Sequence, residues 1–484
     1  MNRAPNRPLN RLSEKVLRGW LRLGPRFLPF ADAATPELPL GRLLRLSLFQ
    51  VSVGMALVLL VGTLNRVMIV ELDVPAGLVA AMVALPLVFA PFRALIGHRS
   101  DTHRSELGWR RVPFIWKGTL LQFGGFSFMP FALLVLSGGG ESAQAPAWIG
   151  PTAAGLAFLL VGAGLHTVQS VGLALATDLA PPDSRPKVVG LMYTMLLAGM
   201  IATALLCGWL LADYSPGRLI QVIQGAAVAT LILNVVALWK QETRRPARLR
   251  APEAPPPGFR EEWAVYIAGP DARRRLLAVA LGTMGFSMAD VLLEPYGGRV
   301  LGLTVGATTA LTATLALGGL FGFALASRVL ARGADPFRMA AAGALAGLFA
   351  FATVMVAAPL ESTPMFALGT LLIGFGAGLF GHGTLTATMN AAPKDKAGLA
   401  LGAWGAAQAT AAGIAVAAGG FIHDAVAASP WGDALGAASG YVIVYAIEAA
   451  LLAAATIAMV PLVRAPRRAR ATGDIGLERA GAAD

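Results

Sequence analysis

The chain has 484 residues, of which 56% are hydrophobic and 14% charged, and its mean hydropathy is +0.64. Soluble proteins carry about 25% charged residues, so this composition excludes an ordinary soluble domain and favours a protein with many membrane spans. The single cysteine, Cys207, cannot form an internal disulfide, which argues against a disulfide-stabilised secreted scaffold. The long continuous apolar runs argue against an outer-membrane barrel, whose strands alternate polar and apolar residues.

The N-terminal region, residues 1–42, is predicted as a basic cytoplasmic segment that contains an amphipathic helix. Its basic residues recur every three or four positions from Arg11 to Arg26, beside an apolar stripe that includes Trp20. This pattern is typical of helices that lie on anionic lipid. A docking helix for a protein partner is the alternative interpretation.

The apolar runs predict an all-α membrane protein with twelve transmembrane helices. We expect these helices near residues 43–69, 74–96, 113–137, 148–176, 188–212, 219–239, 275–297, 303–327, 338–360, 365–389, 398–422 and 439–463. An even number places both termini on one side of the membrane. Every lysine and arginine except Arg66, Arg218 and Arg299 falls on that side, so both termini are predicted to be cytoplasmic. Because the basic residues follow the loops, the net charge of +12 does not indicate nucleic-acid binding.

The predicted helices divide into two six-helix halves, residues 43–239 and 275–463. A cytoplasmic linker rich in Arg, Pro and Glu, residues 240–274, separates them, and a cytoplasmic tail, residues 464–484, follows. The string Gly-Ala-Gly-Leu at residues 162–165 recurs at residues 376–379, in the corresponding helix of the second half. This agreement predicts a parallel duplication.

The loop between the second and third spans is similar to the loop signature of the major facilitator superfamily. That signature has a glycine, an aspartate about one turn later, and a second glycine followed by basic residues. An aspartate at a helix end can pair with basic residues across the interface between the halves. We therefore predict a cytoplasmic gate loop that contains Gly97, Asp101, Gly108, Arg110 and Arg111.

The spans contain few ionisable residues, and such residues are costly in a membrane and usually functional. Asp290 and Glu294 lie one turn apart in the seventh span. We interpret them as partners in interhelical ion pairs between the halves; proton coupling or a ligand contact is the alternative. The candidates for these pairs are Arg66, Glu71, Asp290, Glu294 and Arg299. The apolar interior as a whole favours a lipophilic ligand or lateral protein contacts.

His166 and His382 lie close to the two repeated Gly-rich strings. A histidine in such a helix is often a packing residue, but a neutral imidazole is also a good axial ligand for a metal in a macrocycle. The neighbouring glycines are expected to leave room for a flat ring; they are Gly162, Gly164, Gly381 and Gly383. No zinc spacing, phosphate-binding loop or nucleophile pattern occurs, so the sequence does not predict an enzyme or a metal site.

Longer strings identify a family resemblance that covers most of the membrane region. The strings at residues 46–55 and 62–72 resemble the first span of the PucC/LhaA family, those at 90–97 and 107–113 its second loop, and that at 293–298 its seventh span. This family is the bacteriochlorophyll delivery branch of the major facilitator superfamily and occurs in phototrophic bacteria.

The resemblance implies a non-enzymatic assembly factor for light-harvesting complexes. Residues 27–36 are more similar to the LhaA branch, which serves the core antenna around the reaction centre, whereas the PucC branch serves the peripheral antenna. The expected target is therefore the core antenna, and a PucC-like role in the peripheral antenna is one alternative. A secondary transporter of a small solute and a purely protein-binding membrane scaffold are two others.

The resemblance also implies ligands, partners and a location. The expected ligand is transiently bound bacteriochlorophyll, with carotenoid as a second pigment, and the candidate pigment-binding residues are His166, His382, Asn65 and Glu294. The expected partners are the light-harvesting alpha and beta polypeptides, the reaction-centre core complex, bacteriochlorophyll synthase, the membrane-insertion machinery and lipid. The expected location is the bacterial inner membrane, in its intracytoplasmic photosynthetic form.

Overall fold

The computed structural model describes most of the membrane region. The described residues are 34–35, 38–88, 96, 99–100, 108–138, 144, 146–181, 184–242, 267–269, 271–391, 397–430, 432 and 436–463, and all their regular elements are helices. The predicted amphipathic helix, most of the 240–274 linker and the 464–484 tail lie outside these residues.

Twelve helices follow one another in the described part of the chain. The first six are α1 Leu40–Glu71, α2 Ala76–Val88, α3 Val112–Leu136, α4 Ile149–Leu179, α5 Arg185–Leu210 and α6 Pro216–Leu238. The second six are α7 Ala272–Arg299, α8 Val305–Leu330, α9 Pro336–Ala357, α10 Thr363–Ala391, α11 Ala397–Ala427 and α12 Gly436–Leu462. Eleven are long and apolar enough to cross a membrane, and α2 is the shorter one. The protein is a multi-pass membrane protein.

The helix starts follow ordinary capping chemistry. Pro216 and Pro336 lie in the first turns of α6 and α9, where a missing N–H costs nothing. The side chains of Ser215, Thr304 and Asp335 accept hydrogen bonds from the first turns of α6, α8 and α9 at 3.2, 3.3 and 2.9 Å.

We name the membrane face at Leu40 and Leu462 the terminal face, and the face at Glu71 and Arg299 the opposite face.

The two repeated Gly-Ala-Gly-Leu strings both lie in close helix contacts, although their corresponding glycines face different helices of the two halves. A Cβ on Gly164 in α4 would lie 2.5 Å from the backbone N of Gln122 in α3, the third helix of its half. A Cβ on Gly376 in α10 would lie 2.7 Å from the carbonyl O of Gly343 in α9, the third helix of the other half. Each string therefore packs against neighbouring helices of its own half.

Two helix pairs, α5 with α8 and α2 with α11, join the halves through small residues. A Cβ on Gly306 at the start of α8 would lie 2.6 Å from the carbonyl O of Gly208 in α5. A Cβ on Gly420 in α11 would lie 2.6 Å from the carbonyl O of Ala76 in α2. Small residues let membrane helices approach closely where no hydrophobic driving force between them exists. Both crossings lie near the opposite face.

Asp424 of α11 adds a polar contact to the same face. Its carboxylate accepts hydrogen bonds from the backbone N–H groups of Ala76 at 3.2 Å and Gly77 at 2.6 Å. These groups begin α2 and have no partner within that helix. His423 Nδ1 lies 3.0 Å from Asp424 Oδ1, and its ring meets Tyr441 with centroids 4.3 Å apart. One half therefore caps a helix of the other.

We predict that Gly306→Ala lowers the thermal unfolding midpoint in mild detergent. Alanine normally favours a helix over glycine by about 1 kcal/mol, but here its methyl group would meet the backbone of α5. The matched control is Gly124→Ala in α3, where a Cβ meets nothing within 4 Å. This variant should keep or raise the midpoint. Equal behaviour of the two variants would contradict the close crossing.

We predict that Asp424→Ala destabilises the protein more than Ser215→Ala does. Loss of an ordinary cap costs about 1 kcal/mol, which is the expected effect at Ser215, an exposed cap within the first half. Asp424 serves two N–H groups across the interface, so its loss should cost more. Thermal unfolding of both variants measures this difference, and a smaller or equal loss for Asp424→Ala would refute it.

Candidate functional site

A cavity of about 200 Å³ lies between the halves. Helices α1, α5, α7, α8 and α10 surround it, and its lining residues are Leu57, Val61, Gly62, Met200, Phe286, Ala289, Asp290, Leu293, Glu294, Leu311, Thr312, Leu315 and Ile373. The lining is apolar except for Asp290, Glu294 and Thr312. This agrees with the sparse polar interior seen in the sequence.

Two of the helices that surround this cavity, α1 and α7, have irregular backbone. Helix α1 contains wide turns over Val58–Thr63 and Val67–Glu71, and α7 is interrupted by a tight turn over Ala289–Val291. Such interruptions release backbone groups from their usual partners. In lipid these groups must be satisfied by the protein, so irregular backbone occurs where it is buried or lines a cavity.

Asn65 and Glu448 satisfy the break in α7. Asn65 Nδ2 donates to the carbonyl O of Val291 at 2.8 Å, and Glu448 Oε1 accepts from the N–H of Ala289 at 2.7 Å. Both side chains are fully buried. Asn65, a predicted pigment ligand, thus uses its amide N–H to hold the break. Glu448 was not among the predicted site residues, although a lone acid in an apolar span was the available signal.

Glu294 lies in the cavity wall and is 5% exposed. Its Oε1 accepts a hydrogen bond from the Thr312 hydroxyl, whereas its Oε2 is buried with no hydrogen-bond partner among the described residues. Gly62 makes this position available, because a Cβ there would collide with the Glu294 carboxylate. Asp290 is half-buried and lines the same cavity.

The structure corrects the predicted ion pairs. Arg66 pairs with Glu71 of its own helix α1, so this pair is not interhelical. Arg299 pairs with Asp73, and neither arginine pairs with Asp290 or Glu294 within the described residues. The side chains of Glu71 and Asp73 are 34% and 89% exposed. The physical reason is desolvation: a carboxylate near water pairs with arginine at a lower cost than one buried in the cavity wall.

The two arginines nevertheless connect the halves. Arg66 Nη2 donates to the carbonyl O of Leu303 at 3.1 Å, and Arg299 Nη2 donates to the carbonyl O of Ile69 at 2.5 Å. Each arginine lies near the end of the first helix of its own half and donates to a backbone carbonyl of the other half. The contact is reciprocal, as expected for a duplicated fold.

The space expected beside His166 and His382 is mostly absent. Gly162 faces Pro86 of α2, Gly164 faces α3, and a Cβ on Gly383 would lie 2.8 Å from the backbone N of Ala340 in α9. The expectation that these three glycines leave room for a flat ring is therefore wrong, because helix packing fills the space. Only at Gly381, among these four glycines, does a Cβ meet nothing within 4 Å.

The two histidines lie in different surroundings. His166 is buried in α4 beside the glycines that pack against α2 and α3. His382 is half-buried in α10, and its ring centroid lies 4.3 Å from that of Phe323 in α8. Its Nδ1 is buried with no hydrogen-bond partner among the described residues. His382 therefore has both an unused nitrogen and open space beside it.

The described part of the gate loop is held within the first half. Arg110 and Arg111 both pair with Asp178 at the end of α4, Arg111 Nε at 3.0 Å. Glu242 accepts from the N–H groups of Arg110, Arg111 and Val112 at 2.7 to 3.1 Å and so caps α3. Gly108 has a positive φ of 78°, which suits glycine. The sequence did not identify Asp178 and Glu242 as partners, and Gly97 and Asp101 lie outside the described residues.

A larger groove lies at the lateral surface of the first half, toward the opposite face. It has a volume of about 680 Å³ between α5 and α6, with Met55 of α1 at its base. Leu206 and Trp209 line it and are 54% and 74% exposed, as lipid-facing side chains are. The groove is more than three times as large as the central cavity.

Sequence comparison places these features in a family. The family model described as PUCC protein matches residues 63–466. Protein PucC of Rhodovulum sulfidophilum is 64% identical over 420 residues, covering 86% of this chain and 92% of that protein. Protein PucC of Cereibacter sphaeroides is 57% identical over 462 residues, covering 96% of this chain and all of that protein. The bacteriochlorophyll synthase 44.5 kDa chain of Rhodobacter capsulatus is 31% identical over 444 residues, covering 88% and 98%.

Solved structures support the fold independently. A D-xylose-proton symporter superimposes with a TM-score of 0.65 at 14% identity, covering 87% of this chain and 97% of that chain. A bacterial homologue of the human lysosomal transporter Spinster, in an inward-facing and unoccupied conformation, gives 0.61 at 16% identity, covering 88% and 98%. These similarities show the architecture alone. The family match and the high identity over almost the whole length show that the chain belongs to the PucC family, with the fold of the major facilitator superfamily.

Proposed function

We propose that the protein is a non-enzymatic assembly factor for a light-harvesting complex, and that it binds bacteriochlorophyll and presents it to the alpha and beta antenna polypeptides in the intracytoplasmic membrane. The observation that carries this proposal is family membership. The chain is related over nearly its whole length both to proteins named PucC and to a chain named for bacteriochlorophyll synthase. Contact with bacteriochlorophyll synthase and with the membrane-insertion machinery is part of the same proposal.

The geometry supports a pigment at the perimeter of the bundle rather than at its centre. Pockets for drug-sized ligands occupy about 300–1,000 Å³, whereas the central cavity has about 200 Å³ and the α5/α6 groove about 680 Å³. A tetrapyrrole with a long apolar tail, or a carotenoid, does not fit the former. Two of the predicted pigment ligands belong to this central region: Glu294 lines the cavity, and Asn65 holds the break in α7. Both are therefore less suitable as ligands for a pigment at the perimeter.

His382, which lies in α10 of the second half and not in the α5/α6 groove, is the predicted ligand that best fits a pigment. A buried imidazole nitrogen without a partner costs free energy, and the unused Nδ1 of His382, beside the open side of Gly381, has this cost. Neutral imidazole can ligate the central metal of a macrocycle, and Phe323 offers an apolar surface beside it. His166 lacks comparable space, because Gly162 and Gly164 are covered by neighbouring helices.

We predict that His382→Ala removes bound pigment and that His166→Ala does not. The measurement is the absorption spectrum of the protein purified from phototrophic membranes in mild detergent, normalised to protein. The matched variant His166→Ala controls for loss of a buried histidine from a related helix. Equal pigment content in both variants would contradict the role of His382. A pigment-free protein that still copurifies with antenna polypeptides would instead favour the scaffold function.

Two observations favour different antennas. Residues 27–36 resemble the LhaA branch, which serves the core antenna, whereas the chain is 57–64% identical to two relatives named PucC over 420 or more residues. Identity over the whole length samples many more residues than a string of ten does. We therefore give more weight to the PucC branch and to the peripheral antenna.

We predict that deletion of the gene lowers the peripheral antenna more than the core antenna. Absorption spectra of membranes, normalised to reaction centres, measure both complexes. Restoration by the intact gene controls for effects on neighbouring genes. Loss of the core antenna with a normal peripheral antenna would assign the protein to the LhaA branch instead.

A further inference from the structure

The central cavity carries acidic groups that the pigment function does not use. Asp290 and Glu294 of α7 both line it, one turn apart. Glu294 is 5% exposed, and its Oε2 is buried with no hydrogen-bond partner among the described residues. The two arginines that were predicted to pair with them form other ion pairs, Arg66 with Glu71 and Arg299 with Asp73. Two carboxylates therefore lie in the cavity wall, and neither forms an ion pair with these arginines.

The placement of Glu294 is specific. Thr312 of α8 donates to its Oε1 and so orients the carboxylate. Gly62 of α1 leaves the space that the carboxylate occupies, since any Cβ there would overlap it. Asn65 and Glu448 hold the break in α7 immediately before it, through Val291 and Ala289. These contacts fix the carboxylate in the cavity wall and leave its Oε2 without a hydrogen-bond partner among the described residues.

The lining defines the chemical class of the ligand. An anion would be repelled by two carboxylates, and a sugar would find too few hydrogen-bonding groups among the apolar walls. A metal ion such as Ca²⁺ takes six to eight oxygen ligands, whereas only Asp290, Glu294 and Thr312 offer side-chain oxygens here. The nonpolar side chains from α1, α5, α8 and α10 suit an apolar body, and the carboxylates suit a cationic head.

We propose that the central cavity binds a small organic cation, whose ammonium group contacts Glu294 and Asp290 and whose apolar body contacts the walls from α1, α5, α8 and α10. This site is separate from the perimeter site proposed for the pigment and does not depend on it. Its ligand is limited by the volume of about 200 Å³ to a molecule of one ring or a few carbon atoms.

The test uses the full chain purified in mild detergent, at one pH and one ionic strength, with benzylammonium chloride as the probe. Benzyl alcohol is the matched control ligand, because it has nearly the same shape without the charge. Thermal unfolding and calorimetric titration measure binding. We expect benzylammonium, but not benzyl alcohol, to raise the unfolding midpoint.

Three variants locate the site. Glu294→Gln keeps an acceptor for Thr312 and should weaken benzylammonium binding by about tenfold or more, because a charged hydrogen bond is lost. Asp290→Asn should also weaken it and serves as the second test if the first variant does not fold. Glu361→Gln, in the exposed loop between α9 and α10, should leave binding unchanged. Equal stabilisation by benzyl alcohol, or unchanged binding in the folded Glu294 and Asp290 variants, would overturn the proposal.

Discussion

The centre of the molecule depends on two reciprocal hydrogen bonds between the halves. In each, an arginine of one half, Arg66 or Arg299, donates to a backbone carbonyl of the other half. Each guanidinium lies at the end of a first helix, where Glu71 or Asp73 supplies the counter-charge. A buried cation without such partners would be expensive in a membrane. Because both helix ends are fixed in this way, the irregular turns of α1 and the break of α7 meet at one depth and enclose the cavity.

That arrangement explains how a few polar side chains satisfy the backbone groups that are released at the centre of the molecule. Asn65 and Glu448 each satisfy a backbone group that the break in α7 releases. In the first half, Asn234 bridges Ser52 of α1 at 2.9 Å and Thr119 of α3 at 3.0 Å. Buried polar groups of this kind stabilise one packing only when their hydrogen bonds are made. Within the described helices, Oε2 of Glu294 and Oε2 of Glu448 are both buried without a hydrogen-bond partner, but of these two residues only Glu294 lines the central cavity.

The features that the sequence predicts well are those set by local pattern. Long apolar runs identify the spans, the distance between the two Gly-Ala-Gly-Leu strings identifies the duplication, and strings such as residues 293–298 identify the family. The sequence also indicates Glu294 as a residue of interest, because an acid in an apolar span is rare. These inferences need only composition, spacing and similarity.

The features that it does not predict depend on three-dimensional placement. Glycines in a membrane helix leave room either for a ligand or for another helix, and only the packing shows that Gly162, Gly164 and Gly383 serve helices while Gly381 does not. The partners of Arg66 and Arg299 depend on the depth at which α7 breaks, which its sequence does not reveal. Asp178 and Glu242 are far from the gate loop in sequence, so their contacts with Arg110 and Arg111 follow only from the fold.

The crossing of Gly208 and Gly306 lies close to one end of α5 and far from the other, so the two ends of this helix would move by different amounts if it rotated about the crossing. From Gly208 to the start of α5 at Arg185 the helix runs for about 35 Å at 1.5 Å per residue. A rotation of roughly 10° about the crossing would displace that distant end by about 6 Å while hardly moving the glycines. A Cβ on Gly319 of α8 would still lie 3.7 Å from Leu197 of α5, so the two helices remain in contact well beyond the glycines. Such a rotation would therefore have to separate side chains that pack together nearer the terminal face.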